Sequence, residues 1–114
     1  MMVVMNADDG KVIQSFPISG GADAEVYEEK TGLIFVSTRE GWVHVLHEDS
    51  PDHYSEAGKV KAEFGAKTMA YDPKTDRIFV DTAEFGKAPA PAKEQPHPRP
   101  IPVSGTFHVL VYAQ

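Results

Sequence analysis

Short runs of apolar β-formers punctuate the chain at Val3-Val4-Met5, Leu33-Ile34-Phe35-Val36, Val43-His44-Val45-Leu46, Ile78-Phe79-Val80 and Phe107-His108-Val109-Leu110. Each is too short for an ordinary helix and rich in β-branched or aromatic residues, so each predicts a strand. The runs at 33–36 and 78–80 lack strict alternation, the pattern of strands covered on both faces. Between the runs lie turn formers. Ala7-Asp8-Asp9-Gly10 predicts a hairpin joining the first run to a partner over Lys11 to Phe16.

The runs also recur. When Gly21 to Glu40 is set against Gly65 to Glu84, a spacing of 44 residues, ten of twenty positions are identical, among them Tyr27 with Tyr71, Lys30-Thr31 with Lys74-Thr75, and Ile34-Phe35-Val36 with Ile78-Phe79-Val80. This is an internal repeat, and a period in the forties is that of a four-stranded propeller blade. Each copy reads as a first strand (Ala22 to Tyr27 in the first copy), a turn and a second strand. In the first turn Gly32 supplies positive φ; in the second, Asp72-Pro73-Lys74-Thr75-Asp76, Pro73 fixes φ and Asp is able to bond its own backbone. Glu40-Gly41 then turns the chain into a third strand over Trp42 to His47, and a longer connection leads to a fourth over Lys59 to Phe64.

The predicted fold class is all-β, with nine strands in two to two-and-a-quarter four-stranded antiparallel propeller blades. Residues 1–17 read as the third and fourth strands of one blade, 22–64 as a complete blade, and 66–112 as a final blade. That last blade is interrupted over 84–105 by an insertion holding six of the nine prolines, which predicts an extended loop of polyproline character.

Composition narrows the partners. The 114 residues allow one domain, and 11 Lys plus Arg against 17 Asp plus Glu give a net charge of -6, which argues against nucleic acid. With no cysteine, disulfides, thiolate zinc sites and thiol catalysis are excluded. The apolar N-terminus spans five residues before Asn6, so neither a signal peptide nor a membrane partner is expected, and the compartment is left open. So few blades cannot close a ring, since propellers use roughly four to eight. Either the chain belongs to a larger propeller, or it forms a homo-oligomer through its blade faces and an open final strand, Phe107 to Tyr112, accepting Lys11 to Phe16 of another copy. Three or four chains would then supply six or eight blades.

Asn6-Ala7-Asp8-Asp9-Gly10-Lys11-Val12, Leu33 to Thr38, Glu40 to Val45 and Ile78 to Thr82 resemble the repeat of the YVTN-type β-propeller family, and the proline-rich insertion before Gly105 to Leu110 resembles that family's closing blade. Phe35 with Thr38 and Phe79 with Thr82 depart from the namesake motif. The resemblance implies a propeller used for binding or scaffolding rather than catalysis, among relatives that include exported proteins.

Candidate chemistry is sparse. No nucleophile elbow, zinc-helix motif or phosphate loop is present. His44 and His47 point to opposite faces of a strand and His53 falls in a loop, so no metal site is predicted, and no cofactor is implied. His44 and His108 read as equivalent third-strand positions. Glu28, Glu29, Asp72 and Asp76 read as solvated turn charges. Trp42 is expected to pack between blades. A ligand would bind at the channel mouth, where Asp23 and Lys67 begin the innermost strands, Arg39 and Glu84 begin the connections to the third strands, and His97 and Arg99 of the insertion fold over the same end. The predicted function is a noncatalytic binding or assembly module; the alternatives are a propeller fragment without independent role, or a small hydrolase or lyase whose site is shared between subunits.

Overall fold

The computed structural model describes residues 1–113, among which there are nine strands and no helix. They are β1 (Met2–Met5), β2 (Val12–Phe16), β3 (Ala22–Glu28), β4 (Leu33–Thr38), β5 (Trp42–Ser50), β6 (His53–Lys61), β7 (Met69–Asp72), β8 (Arg77–Thr82) and β9 (His108–Ala113). The strands form three antiparallel sheets of two, four and three strands, ordered β1-β2, β3-β4-β5-β6 and β7-β8-β9. Each strand pairs with its neighbour in sequence, as short connections between antiparallel strands favour. The three sheets are separate and do not close into a barrel.

The repeated turn is built twice from the same parts. Glu28 accepts the Lys30 N–H at 2.9 Å, the Thr31 N–H at 2.8 Å and the Thr31 hydroxyl. Its counterpart Asp72 accepts the Lys74 N–H at 3.0 Å and the Thr75 hydroxyl at 2.7 Å. Four residues beyond each acid the chain takes positive φ, at Gly32 (69°) and Asp76 (51°). Glu28 is not the solvated charge expected from the sequence: it is buried, 4% exposed, because the turn's own donors replace water at its oxygens. The hydrogen bond from Thr31, ahead of those from the two N–H groups, holds its pKa below the usual carboxylate value.

The fourth strand of the central sheet also differs from expectation. There is no long connection to Lys59: β5 runs on to Ser50, turns at Pro51-Asp52, and returns as β6 from His53, so His53 lies in a strand. Irregularities between Val45 and Leu46 and between Glu48 and Ser50 keep the ladder in step. From His47 to Glu56, Tyr54 is the single apolar side chain packed on the core, too little for periodicity to signal a strand. Between Thr82 and His108 there is no strand, only isolated bridges pairing Phe85 with Pro102 and Ala92 with Gln95.

The core lies between the sheets. One face of the central sheet, here the front, carries Phe35 and Val43, which pack with Ile78 and Val80 of the third sheet. The opposite face, the back, carries Ile34, Val36 and Leu46, which pack with Phe16, Met2 and Val4 of the hairpin. The Gln14 side chain pins the hairpin by donating to the Tyr54 carbonyl at 2.8 Å and accepting its N–H at 2.9 Å. The central sheet is therefore covered from both sides. The flanking sheets are covered from one only: Val3, Met5 and Val12 are exposed on the hairpin, Val109 and Val111 on the third sheet.

Register corrects the histidine equivalence. Thr38 pairs with Trp42, and its repeat counterpart Thr82 pairs with His108; His44 pairs with Val36, and Val80 pairs with Leu110. His108 is thus the counterpart of Trp42, two residues from the position read from the His-Val-Leu similarity. Trp42 carries the Lys59 and Lys61 ammonium groups over its ring, each 4.4 Å from the centroid, rather than a neighbouring sheet.

Candidate functional site

Asp23 lies in β3 and Lys67 two residues before β7, at equivalent places in the two repeats. The structure joins them, with Lys67 Nζ 3.0 Å from Asp23 Oδ1 and both side chains partly exposed. Beside this pair the two repeats are stitched through one residue: the Arg39 N–H donates to the Gly21 carbonyl at 2.8 Å, and the Arg39 carbonyl accepts the Gly65 N–H at 2.7 Å. Both glycines have positive φ, 73° and 82°, and a Cβ on Gly65 would meet the Phe85 ring at 2.4 Å. Only glycine fits there. The Arg39 guanidinium stands 5.3 Å from the Phe64 centroid, and Phe64 meets Phe85 edge-on at 5.3 Å.

Glu84 adjoins Phe85 and anchors the insertion through its backbone. Its N–H donates to the Thr106 hydroxyl at 2.9 Å, and its carbonyl accepts the Val103 N–H at 2.7 Å. Asp23, Lys67, Arg39 and Glu84 are therefore linked by contacts along one end of the sheets. His97 and Arg99 are exposed on the insertion, and among the described residues neither makes a hydrogen bond or ion pair. The charges at this end are partly spent on each other, since Asp23 and Lys67 are paired, and an exposed pair of this kind offers little field to a charged ligand. A shallow cleft of about 330 Å³ lies here between Gly20, Gly21, Arg39, Glu40 and Phe64.

Sequence reasoning missed the polar seam beneath this end. Ser37 and Thr38 are fully buried; the Ser37 hydroxyl donates to the Lys67 carbonyl, and that of Thr38 donates to the Trp42 carbonyl at 3.0 Å. Thr82, the counterpart of Thr38, donates to the Phe64 carbonyl at 2.8 Å. The signal was available: the same Thr closes the second strand of both repeats.

A second, more apolar cleft was also missed. It measures about 310 Å³ and lies on the back of the central sheet beside β1, lined by Val3, Met5, Glu25, Tyr27 and Ile34 among others. A related hollow of about 290 Å³ continues it past Met1, Ala22 and Ala24. The Tyr27 hydroxyl donates to Glu48 at 2.6 Å, which raises its pKa, yet the residue is 47% exposed.

The titratable cluster at the far end of β5 and β6 is self-contained. Asp49 receives His47 Nδ1 at 2.7 Å and His53 Nδ1 at 3.0 Å, and the His47 bond, before those of Ser55 and His53, lowers its pKa to about 2. The nitrogens facing Asp49 are occupied by it, and among the described residues no group of three or more His, Asp or Glu is arranged to hold a metal. Among the described residues no helix is long and apolar enough to cross a membrane. No family model, curated protein or solved structure matches the chain.

Proposed function

We propose that this chain is a partial β-propeller of the YVTN type that works as a noncatalytic binding and assembly module, completing its stack of blades with another polypeptide. The hairpin is then an incomplete first blade, the four-stranded sheet a full blade, and the three-stranded sheet a final blade lacking its outer strand. One observation carries this reading: the repeat gives the third sheet a front that matches the central sheet's front, with Phe79 for Phe35 and, by register, Val109 for Val43. Val43 is 1% exposed and Val109 is 48% exposed. An apolar surface that is buried in one copy and bare in the other is a binding face without its partner.

The bare back of the hairpin, with Val3, Met5 and Val12, is a matching opposite face, so copies stack head to tail and the association is heterologous. Any ligand of the closed assembly would meet the end that carries Asp23, Lys67, Arg39 and Glu84. No observation favours the hydrolase reading, because among the described residues His97 and Arg99 make no hydrogen bond or ion pair with these residues. Light scattering after size exclusion, over a range of concentrations, tests the proposal. The expected mass is a multiple of the protomer mass, and Val111→Lys on the bare front is expected to return it to that of one chain. A folded, solitary monomer that binds no hydrophobic dye would overturn the reading.

A further inference from the structure

The inner half of the central sheet's back is an empty strand site. The sheet's inner strand is β3, and where Tyr27 pairs with Ile34 and Glu25 with Val36 their side chains share the back face. The hairpin covers only the outer part of that face, through Met2, Val4 and Phe16 against Ile34, Val36 and Leu46. Strand β1 pairs with β2 on one side and, among the described residues, with nothing on the other. Its free edge borders the cleft that holds Tyr27, so unpaired backbone groups and an exposed aromatic ring face the same hollow.

The other side of the same sheet displays what fills such a place. Tyr71 is the repeat counterpart of Tyr27, and on the third sheet's back it stacks on Phe35 of the central sheet's front, with centroids 6.0 Å apart and planes inclined by 30°. Tyr71 is half-buried, whereas Tyr27 is 47% exposed. Phe35 sits at the centre of the strand triplet Ile34-Phe35-Val36. In the central sheet that strand pairs with the inner edge of β5; on the hairpin, β1 has no such partner.

We infer that the cleft between β1 and Tyr27 accepts a β-hairpin from another polypeptide, whose second strand pairs antiparallel with the free edge of β1 and sets a phenylalanine on the Tyr27 ring. The partner is defined by its chemistry: an extended strand reading aliphatic, Phe, aliphatic, preceded by a turn and a shorter strand. Main-chain pairing supplies affinity and the aromatic contact supplies register, as in other cases of strand addition. This inference rests on the assembly reading above and specifies the partner at one of its faces.

A synthetic peptide with the sequence of residues 66–82 of this chain, carrying Ile78-Phe79-Val80, serves as the probe, titrated onto the full chain by fluorescence anisotropy. Saturable binding is expected, with slowed amide exchange in Met2–Met5. Tyr27→Ala in the protein, or Phe79→Ser in the peptide, is expected to weaken binding at least about tenfold, as truncation at an aromatic anchor does. Tyr27→Phe keeps the ring, loses only the Glu48 hydrogen bond, and is expected to bind within about twofold of the parent chain. Binding that ignores both truncations, or no binding, overturns the inference. Should the peptide fail while the chain still self-associates, the strand site falls and the assembly reading stands; if neither occurs, both fall.

Discussion

The central and third sheets carry the same repeat and hold different fractions of it out of water. Phe35, Val43 and Ser37 on the front of the central sheet are buried, while at their counterparts on the third sheet Val109 is exposed and Phe79 and Asp81 are half-buried. Tyr71 on the back of the third sheet is covered and Tyr27 on the back of the central sheet is open. Residue type therefore does not decide burial here. Position in the stack decides it, and each repeat contributes to stability mainly through the neighbour it meets.

Paired substitutions give the largest expected contrast. Phe35→Ala removes a buried ring from the seam between the sheets and should cost about 3–5 kcal/mol. Val43→Ala at the same seam should cost about 1.5–3 kcal/mol, near the value of fully burying such a side chain. Val109→Ala, at the register equivalent, should change the stability of a single chain by less than about 0.5 kcal/mol, the usual range for surface sites. Urea unfolding at a protein concentration low enough to keep the chain monomeric measures all three. Equal losses at Val43 and Val109 would mean that the third sheet's front is already covered.

A smaller contrast tests the polar seam. Ser37→Ala leaves the Lys67 carbonyl without the donor that the buried Ser37 hydroxyl supplies and should cost about 1–3 kcal/mol. Asp81→Ala, at the same place in the second repeat, removes a half-buried side chain that makes no hydrogen bond or ion pair among the described residues, and should cost less. Denaturant midpoints of the two variants decide it.

These contrasts also mark what was legible. The 44-residue repeat exposes the strands around Ile34-Phe35-Val36 and Ile78-Phe79-Val80, because apolar runs between turn formers survive in both copies. The extent of β5 and β6 was hidden: His47 to Ser50 and His53 to Glu56 hold one apolar side chain, Tyr54, so only pairing reveals them as strand. The burial of Glu28 was hidden because a carboxylate whose donors come from its own turn reads as surface charge. At the candidate mouth the repeat put Asp23 and Lys67 at equivalent positions, but their ion pair depends on how the two sheets face each other and was not readable from it. The roles of Ser37 and Tyr27 depend on which sheet lies opposite, and a repeat read along one dimension does not contain that.

The two sheets should also answer pH with opposite signs. His44 Nε2 accepts the Ser19 N–H at 3.1 Å, and burial, reinforced by Lys59, lowers its pKa below 6.5. The unfolded chain then binds the proton more readily, so this contribution is full above pH 6.5 and is lost as pH falls through the folded value. His108 donates from Nδ1 to the Thr106 carbonyl at 2.8 Å and from Nε2 to Glu63 at 2.7 Å, and these raise its pKa. Its contribution is full below pH 6.5 and is lost as pH rises through the folded value. Thermal melts from pH 5 to 8 should show His44→Gln flattening the acid side and His108→Gln the alkaline side. A common slope for both variants would contradict the assigned protonation states.

The finest test compares the two turns. Gly32 and Asp76 hold equivalent positions with positive φ, and a Cβ on Gly32 would lie 3.2 Å from the Glu48 carbonyl oxygen. Gly32→Ala therefore meets both backbone strain and a near neighbour, and should cost about 1–2 kcal/mol, the left-handed penalty for an L-residue. Asp76→Gly moves in the other direction: it relieves that conformation but gives up the hydrogen bond from the Tyr71 hydroxyl, 2.9 Å long, and adds a freer glycine to the unfolded chain. Those terms oppose each other, so the net change should stay within about 1 kcal/mol. Losing that carboxylate also removes the hydrogen bond that, after burial, raises the Tyr71 pKa to about 12. A spectrophotometric titration of Asp76→Gly should therefore show one tyrosine ionising at lower pH, even where the melting temperature barely moves.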